Sequence, residues 1–274
     1  MDSAPIPSPQ RTEDMTLIDI GANLTHDSFE FDLEDVLDRA AAAGVAHMIV
    51  TGATTEGSEA AIALANRFTQ LSATVGIHPH YAETVNDAVL VHLKTLAESE
   101  TVCAIGETGL DYFRDLAPRK QQKTAFAAQL ELAVELKKPV FLHEREASKD
   151  FAEILQQYRG ALGPVVVHCF TGDEAALDTY LDLDCHIGIT GWVCDERRGG
   201  HLLPLLSKIP PDRLMIETDA PYLLPRTLRP KPKHRRCEPC HLEEVCRFVA
   251  DQLGKTMNQL GQETTANSTA FFGL

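Results

Sequence analysis
The chain has 274 residues, 44% of them hydrophobic, and a formal net charge of −15. That content supports one large core, and no apolar run approaches the roughly 18 residues that a membrane-spanning helix requires. The acidic balance argues against nonspecific affinity for polyanions, so a nucleic-acid enzyme with this charge needs either a metal ion or a concentrated basic patch at its site.

In chain order, residues 1–15 are rich in Pro, Ser and charge, which predicts a disordered extension with no apolar signal core. Short Val- and Ile-rich runs at 17–21, 47–51, 73–78, 102–107, 140–143, 165–168, 186–190 and 214–219 read as buried strands. Between them, helical periodicity covers 33–43, 56–69, 88–98, 121–137, 147–158 and 174–183, and two more helical stretches, 240–253 and 257–271, close the chain. Pro139, Pro164, Pro210 and Pro211 fall where helix gives way to strand. Strand alternating with helix in this way predicts a single α/β domain over residues 16–274, a (β/α)8 TIM-type barrel, in preference to an open doubly wound sheet.

A barrel places its active site at the C-terminal ends of its strands. The residues at or just past those ends are Asn23, His78, Glu107, His143, His168 and Asp219. One such His is most often a packed or loop residue. Ligand-type side chains at equivalent positions of one closed ring predict a shared metal site. His and carboxylate together suit Zn, Mn, Fe or Mg, and one or two ions are compatible with the set. Glu107 could bridge two ions about 4 Å apart, and Asp219 could hold a water and accept its proton. Glu217 lies two residues before Asp219 and points to the same side of its strand, where it either orders the ligands or forms an ion pair inside the barrel.

The segments GIHPH (76–80), AIGETGLDY (104–112), PVFLHER (139–145), VVHCFTG (166–172), IGITGWV (187–193) and IETDAPYLLPR (216–226), in this order, resemble the TatD family of metal-dependent nucleases. The resemblance runs from Leu17 to the C-terminus and implies a barrel of the amidohydrolase kind. It implies metal ligands at Glu107, His143, His168 and Asp219, with His78 as a nearby active-site histidine. It also implies phosphodiester cleavage in DNA. DIGANLT (19–25) and GITGWVCDERRG (188–199) place the chain closest to a branch for which 3′-to-5′ exonuclease action on single strands is implied, with RNA as a further substrate. Many family members carry His-x-His at the end of strand one, where this chain has Gly21 and Asn23. Loss of two imidazoles predicts one firmly held ion at most and a preference for Mg, ahead of Mn or Zn.

RTLRPKPKHRR (226–236) follows strand eight and concentrates six Lys or Arg in eleven residues, among them Arg226, Arg235 and Arg236. This loop reads either as a row of phosphate contacts or as a solvated surface balancing nearby acids. Arg145, two residues past His143, is a second candidate for phosphate. Tyr112, Phe113, Trp192 and Tyr222 fall in or near loops at the mouth, where aromatics stack on unpaired bases at about 1–3 kcal/mol each; taken singly, packing is the more ordinary role for each. Cys237 and Cys240 form a CxxC with His241 and Cys246 nearby, at a spacing too irregular for a zinc knuckle. Cys237 also stands where the family often has Asn before Glu-Pro. Seven cysteines, an odd number, predict reduced thiols in a cytoplasmic protein. The expected partner is a single-stranded DNA or RNA substrate, with no membrane, and the expected state is a monomer engaged in repair or nucleic-acid turnover. Two other readings stay open: an amidohydrolase of small molecules or an esterase of aminoacyl-tRNA, and a catalytically silent binding protein.

Overall fold
The computed structural model describes residues 16–274; the extension predicted for residues 1–15 lies outside them. Eight parallel strands pair in sequence order: β1 Leu17–Ala22, β2 Val45–Val50, β3 Leu71–Val75, β4 Val102–Asp111, β5 Val140–Arg145, β6 Val165–Val167, β7 His186–Ile189 and β8 Leu214–Ile216. The first and last strands meet through a bridge between Ala22 and Ala220 and through backbone bonds Asn23 N to Ala220 O (2.7 Å) and Asp219 N to Gly21 O (2.8 Å). Buried Asp19 reinforces this seam, accepting from the Thr218 hydroxyl (2.5 Å) and backbone N–H (2.9 Å). The sheet is a barrel, and the open-sheet alternative is excluded.

The helices are α1 Leu33–Ala42, α2 Thr55–Arg67, α3 Asp87–Leu96, α4 Arg119–Leu136, α5 Ser148–Tyr158, α6 Glu174–Asp182, α7 Leu203–Leu206, α8 Leu242–Leu253 and α9 Met257–Phe272. Several start on side-chain caps that the sequence displays: Thr54 on Gly57 N, Asn86 on Val89 N, Asp173 on Ala176 N, and Thr256 with Gln259 in a capping box. The single turn α7 was not anticipated, because Gly199, Gly200 and Pro204 interrupt any helical period there.

Side-chain alternation sorts the strands into two layers. Val165 and Val167, Leu214 and Ile216, and Val140 and Leu142 join the core beneath the helices. Ile18, Ile20, Ile49, Ala104, Phe141, Val166 and Met215 fill the barrel interior together with Phe271 and Phe272 of α9. The inward ladder on β5 runs Phe141, His143, Arg145 and so climbs from apolar interior to polar mouth. On β6 and β8 the same step of two leads from Val166 to His168 and from Met215 to Glu217.

Several strand ends differ from the sequence reading. β3 stops at Val75, so His78 stands in the following turn, where its ring accepts from His80 N (3.1 Å). β6 and β8 also end early, before His168 and Asp219. β4 runs four residues past Glu107, with a register shift between Ile105 and Thr108. Pairing stops where the backbone must turn out of the ladder, while the side chains that follow still crown the mouth.

Candidate active site
A cavity of about 800 Å³ opens at the C-terminal end of the barrel. Asn23, His78, Glu107, His143, Arg145, His168, Asp219 and Tyr222 all line it. Arg226, Arg235 and Arg236 are not among its lining residues.

The floor centres on Glu107. Its Oε1 lies 2.8 Å from His168 Nε2, 2.9 Å from His143 Nδ1 and 3.3 Å from His78 Nε2. The second nitrogen separates the three rings into two kinds. His143 Nε2 faces Asp111 Oδ2 at 3.3 Å, and His168 Nδ1 faces Glu217 Oε2 at 3.4 Å. Each therefore has a carboxylate behind it, the arrangement that fixes the tautomer of a metal-ligating imidazole. His78 Nδ1 instead accepts the His80 N–H, so its Nε2 carries the proton and donates to Glu107. Although His78, Glu107 and His143 form the tightest group of potential ligand atoms, within 4.8 Å of one another, the outer nitrogen of His78 is committed to the backbone, whereas His143 and His168 are the imidazoles whose inner nitrogen would become a ligand when a cation displaces the proton it shares with Glu107.

Charges follow from this geometry. Burial works against protonated His143 and His168, but the hydrogen bonds that His143 donates to Asp111 and Glu107 raise the first, and the charges of Glu107 and Glu217 raise the second well above its ordinary range. Burial also opposes ionisation of Glu107, yet the surrounding imidazoles hold it well below. Burial pushes His78 down to about 4, which keeps it neutral. Asp219 is pushed up to about 7 by burial and by the charges of Glu107 and Glu217, against the pull of His168 and Asn23.

Glu217 is fully buried, and its Oε1 accepts Cys169 N at 2.5 Å. Glycines make its berth: a Cβ on Gly21 would lie 2.5 Å from Glu217 Oε2, and one on Gly188 2.5 Å from Oε1. The Gly21 departure noted in the sequence thus has a physical partner, since no side chain fits at 21 while Glu217 occupies that space. Asn23 donates from Nδ2 to Asp219 Oδ1 (3.0 Å) and to Ala220 O (3.2 Å), which aims the Asp219 carboxylate. Asp219 itself adopts φ +55°, a left-handed turn that a short polar side chain tolerates.

Sequence reasoning missed Asp111, His80 and two buried glutamines. Asp111 joins His143 to His80, whose Nε2 lies 2.8 Å from Asp111 Oδ2. Gln129 on α4 brackets Ile77, accepting from its N–H (2.7 Å) and donating to its C=O (3.0 Å), and so secures the turn that bears His78. Gln122, seven residues earlier on the same helical face, accepts from Asp111 N (2.9 Å). The usable signal was a buried-looking face of α4 interrupted by two amides.

The basic loop is partly engaged elsewhere. Arg236 bonds Asp32 (2.7 and 2.8 Å), Glu238 (2.7 Å) and Ser28 O (2.5 Å), while Arg39 joins Glu238 at 2.7 Å. Arg226 pairs with both oxygens of Glu196 at 2.8 and 3.0 Å. These two guanidiniums tie loops together and are not free for phosphate; Arg235 is exposed. Arg236 holds Asp32 below its ordinary 3.8, and Arg39 and Arg236 together hold Glu238 below 4.5 in spite of its burial. Carboxylates depressed in the folded state contribute stability above their unfolded values and lose it as pH falls through the folded ones. Arg236→Met is therefore expected to lower stability by about 2 kcal/mol at pH 7. In melting curves the gap to wild type narrows as pH drops below the ordinary carboxylate range. A gap that persists unchanged in acid contradicts this.

All seven cysteines are free thiols. Burial raises Cys237 well above the usual thiol range and Cys240 to about 11, which gives this CxxC no thiolate character at neutral pH.

Fold and site together define a (β/α)8 barrel with a histidine–carboxylate centre at its mouth. The chain belongs to the TatD related DNase family, which it matches over residues 18–273. It is 47% identical over 259 residues to the 3′-5′ ssDNA/RNA exonuclease TatD of Pectobacterium atrosepticum, covering 94% of this chain and 100% of that protein. The protein of that name from Yersinia pseudotuberculosis is likewise 47% identical over 259 residues, with 94% and 100% covered. Among solved structures, a TatD family hydrolase from Entamoeba histolytica superposes with a TM-score of 0.86 at 28% identity, over 94% of this chain and 98% of that one. The TatD homologue YJJV of Escherichia coli gives 0.86 at 28%, over 96% and 100%. A D-hydantoinase, at 14% identity and a TM-score of 0.62, shares the fold.

Proposed function
We propose that this chain is a metal-dependent nuclease that removes nucleotides from the 3′ end of single-stranded DNA or RNA. The observation that carries the reading is the Glu107 carboxylate ringed by imidazoles, two of them backed by carboxylates, in a chain 47% identical to enzymes bearing that name. Glu107, His143, His168 and Asp219 would hold a divalent ion, Mg2+ in preference to Mn2+ or Zn2+, with one firmly held at most. When bound, the ion supplies a water of lowered pKa and neutralises charge on the phosphoryl oxygen. His143 and His168 keep their N–H groups on Asp111 and Glu217 and present Nδ1 and Nε2. Asp219, aimed by Asn23, accepts the proton of the attacking water. Neutral His78 donates its Nε2–H to Glu107 or to a phosphate oxygen. Tyr222, half exposed at the mouth, offers a ring to an unpaired base, and Arg235 with its exposed lysine neighbours offers charge to the strand beyond. The free thiols fit a reducing, cytoplasmic setting, where the protein would act as a monomer in repair or nucleic-acid turnover.

Single-stranded DNA labelled at its 5′ end, incubated with Mg2+, Mn2+, Zn2+ or EDTA, tests the reading. The expected result is a ladder shortening from the 3′ end with Mg2+, absent in EDTA. No cleavage with any ion, or cleavage only of amide or ester substrates, sinks it.

A further inference from the structure
Above the floor, the mouth carries a ladder of arginines and rings. The Arg145 guanidinium lies 3.9 Å from the centre of Phe113 and 5.4 Å from that of Trp192, while Arg198 lies 4.3 Å from Trp192. All four residues line the cavity. Among the described residues Arg145 has no carboxylate within ion-pair distance and no side-chain hydrogen bond, although it is half buried, so the five N–H donors of its guanidinium are open to an acceptor. Asp195, itself buried, grips Arg198 through Nε (3.1 Å) and the neighbouring terminal nitrogen (3.0 Å), which fixes it over the indole by one edge and leaves the rest of the fork open. Position separates this pair from the chemistry: Arg145 stands one inward step beyond His143 on β5, and the Arg198 side chain is 53% exposed against 4% and 9% for His168 and Glu107.

We infer that Arg145 and Arg198, braced on Phe113 and Trp192, form a clamp for a non-scissile phosphate of the single-stranded substrate. The inference rests on the proposed exonuclease reading for its register. If the terminal 3′ nucleotide leaves, the phosphates flanking the scissile one all lie on its 5′ side, in the retained strand. The clamp therefore grips the retained strand, and because Arg145 stands only one inward step beyond His143 on β5 it is assigned to the first phosphate 5′ to the bond that is cut. It gives this acidic chain a local cationic site that the engaged Arg226 and Arg236 do not provide.

Oligonucleotides carrying one neutral methylphosphonate at a time test the register. In wild type with Mg2+, replacement of the first phosphate 5′ to the scissile one is expected to lower kcat/KM at least about ten-fold. In the Arg145→Ala/Arg198→Ala variant the same replacement changes its already lower kcat/KM less than two-fold. Equal sensitivity in both proteins, or none in wild type, overturns the clamp. A second measurement needs no catalysis: binding of unmodified single-stranded DNA in EDTA, followed by fluorescence anisotropy against salt. Loss of the contact to this one phosphate makes the slope of log affinity on log salt shallower by about 0.7, and an unchanged slope overturns the clamp. Should wild type bind with the steeper slope yet cut nothing with any ion, the exonuclease reading fails while the clamp stands.

Discussion

Replacing Glu107 by Ala is expected to lower kcat on single-stranded DNA by about 100- to 1000-fold with Mg2+ present, the range seen when a principal electrostatic group is removed. The magnitude follows from the position of one oxygen. Glu107 Oε1 is the common partner of His78, His143 and His168, so its removal withdraws a ligand, the acceptor of three rings and the counter-charge of two of them at once. Without it His143 and His168 lose an acceptor that holds them protonated, and each retains only its outer carboxylate, Asp111 or Glu217. The titrations of both rings, followed by NMR in the metal-free protein, should therefore move down in Glu107→Ala. Glu107→Gln, which keeps the shape and loses the charge, should fail to restore activity. If Glu107→Ala cuts as well as wild type, the centre is not where the chemistry occurs.

Gly109→Ala is expected to be the most damaging single methyl group in the chain, destabilising by more than about 4 kcal/mol or preventing folding. Gly109 has φ +147°, and a Cβ there would stand 1.8 Å from the carbonyl oxygen of His143, its paired residue on β5. Neither backbone can yield, because each belongs to the closed ladder. Gly254→Ala is the control: its φ is +65°, but nothing lies within 4 Å of the added methyl. That change should cost only about 1 kcal/mol, the ordinary penalty of a left-handed residue. Melting temperatures of the two variants separate backbone collision from backbone strain. Comparable losses would show that φ alone governs both. Any Gly109→Ala protein that does fold should also lose activity, since β4 carries Glu107 and Asp111 on either side of this position.

Much of this protein was legible along the chain. The alternation of Val- and Ile-rich runs with amphipathic stretches reports burial on two faces, and only a parallel sheet wrapped by helices satisfies that pattern. Because a barrel gathers its strand ends at one mouth, the residues at those ends could be collected from sequence alone. Asn23, His78, Glu107, His143, Arg145, His168, Asp219 and Tyr222 do line one cavity. Strand limits were less legible. Hydrophobicity does not reveal where a ladder is abandoned for a turn, so His78, His168 and Asp219 read as strand residues although pairing ends before each.

What only the tertiary structure decided were relations between distant side chains. Which nitrogen of each histidine faces a carboxylate depends on Asp111 and Glu217, which stand 32 and 49 residues from the rings they back. The berth of Glu217 depends on Gly21 and Gly188. A charge count showed the basic loop, but pairing removed Arg226 and Arg236 from it, because an ion pair within reach of a loop satisfies a guanidinium before any ligand does. Local periodicity and composition are properties of neighbours in sequence and can be read there. Tautomers, berths and salt links are properties of neighbours in space, and in a barrel those come together only when β1 meets β8.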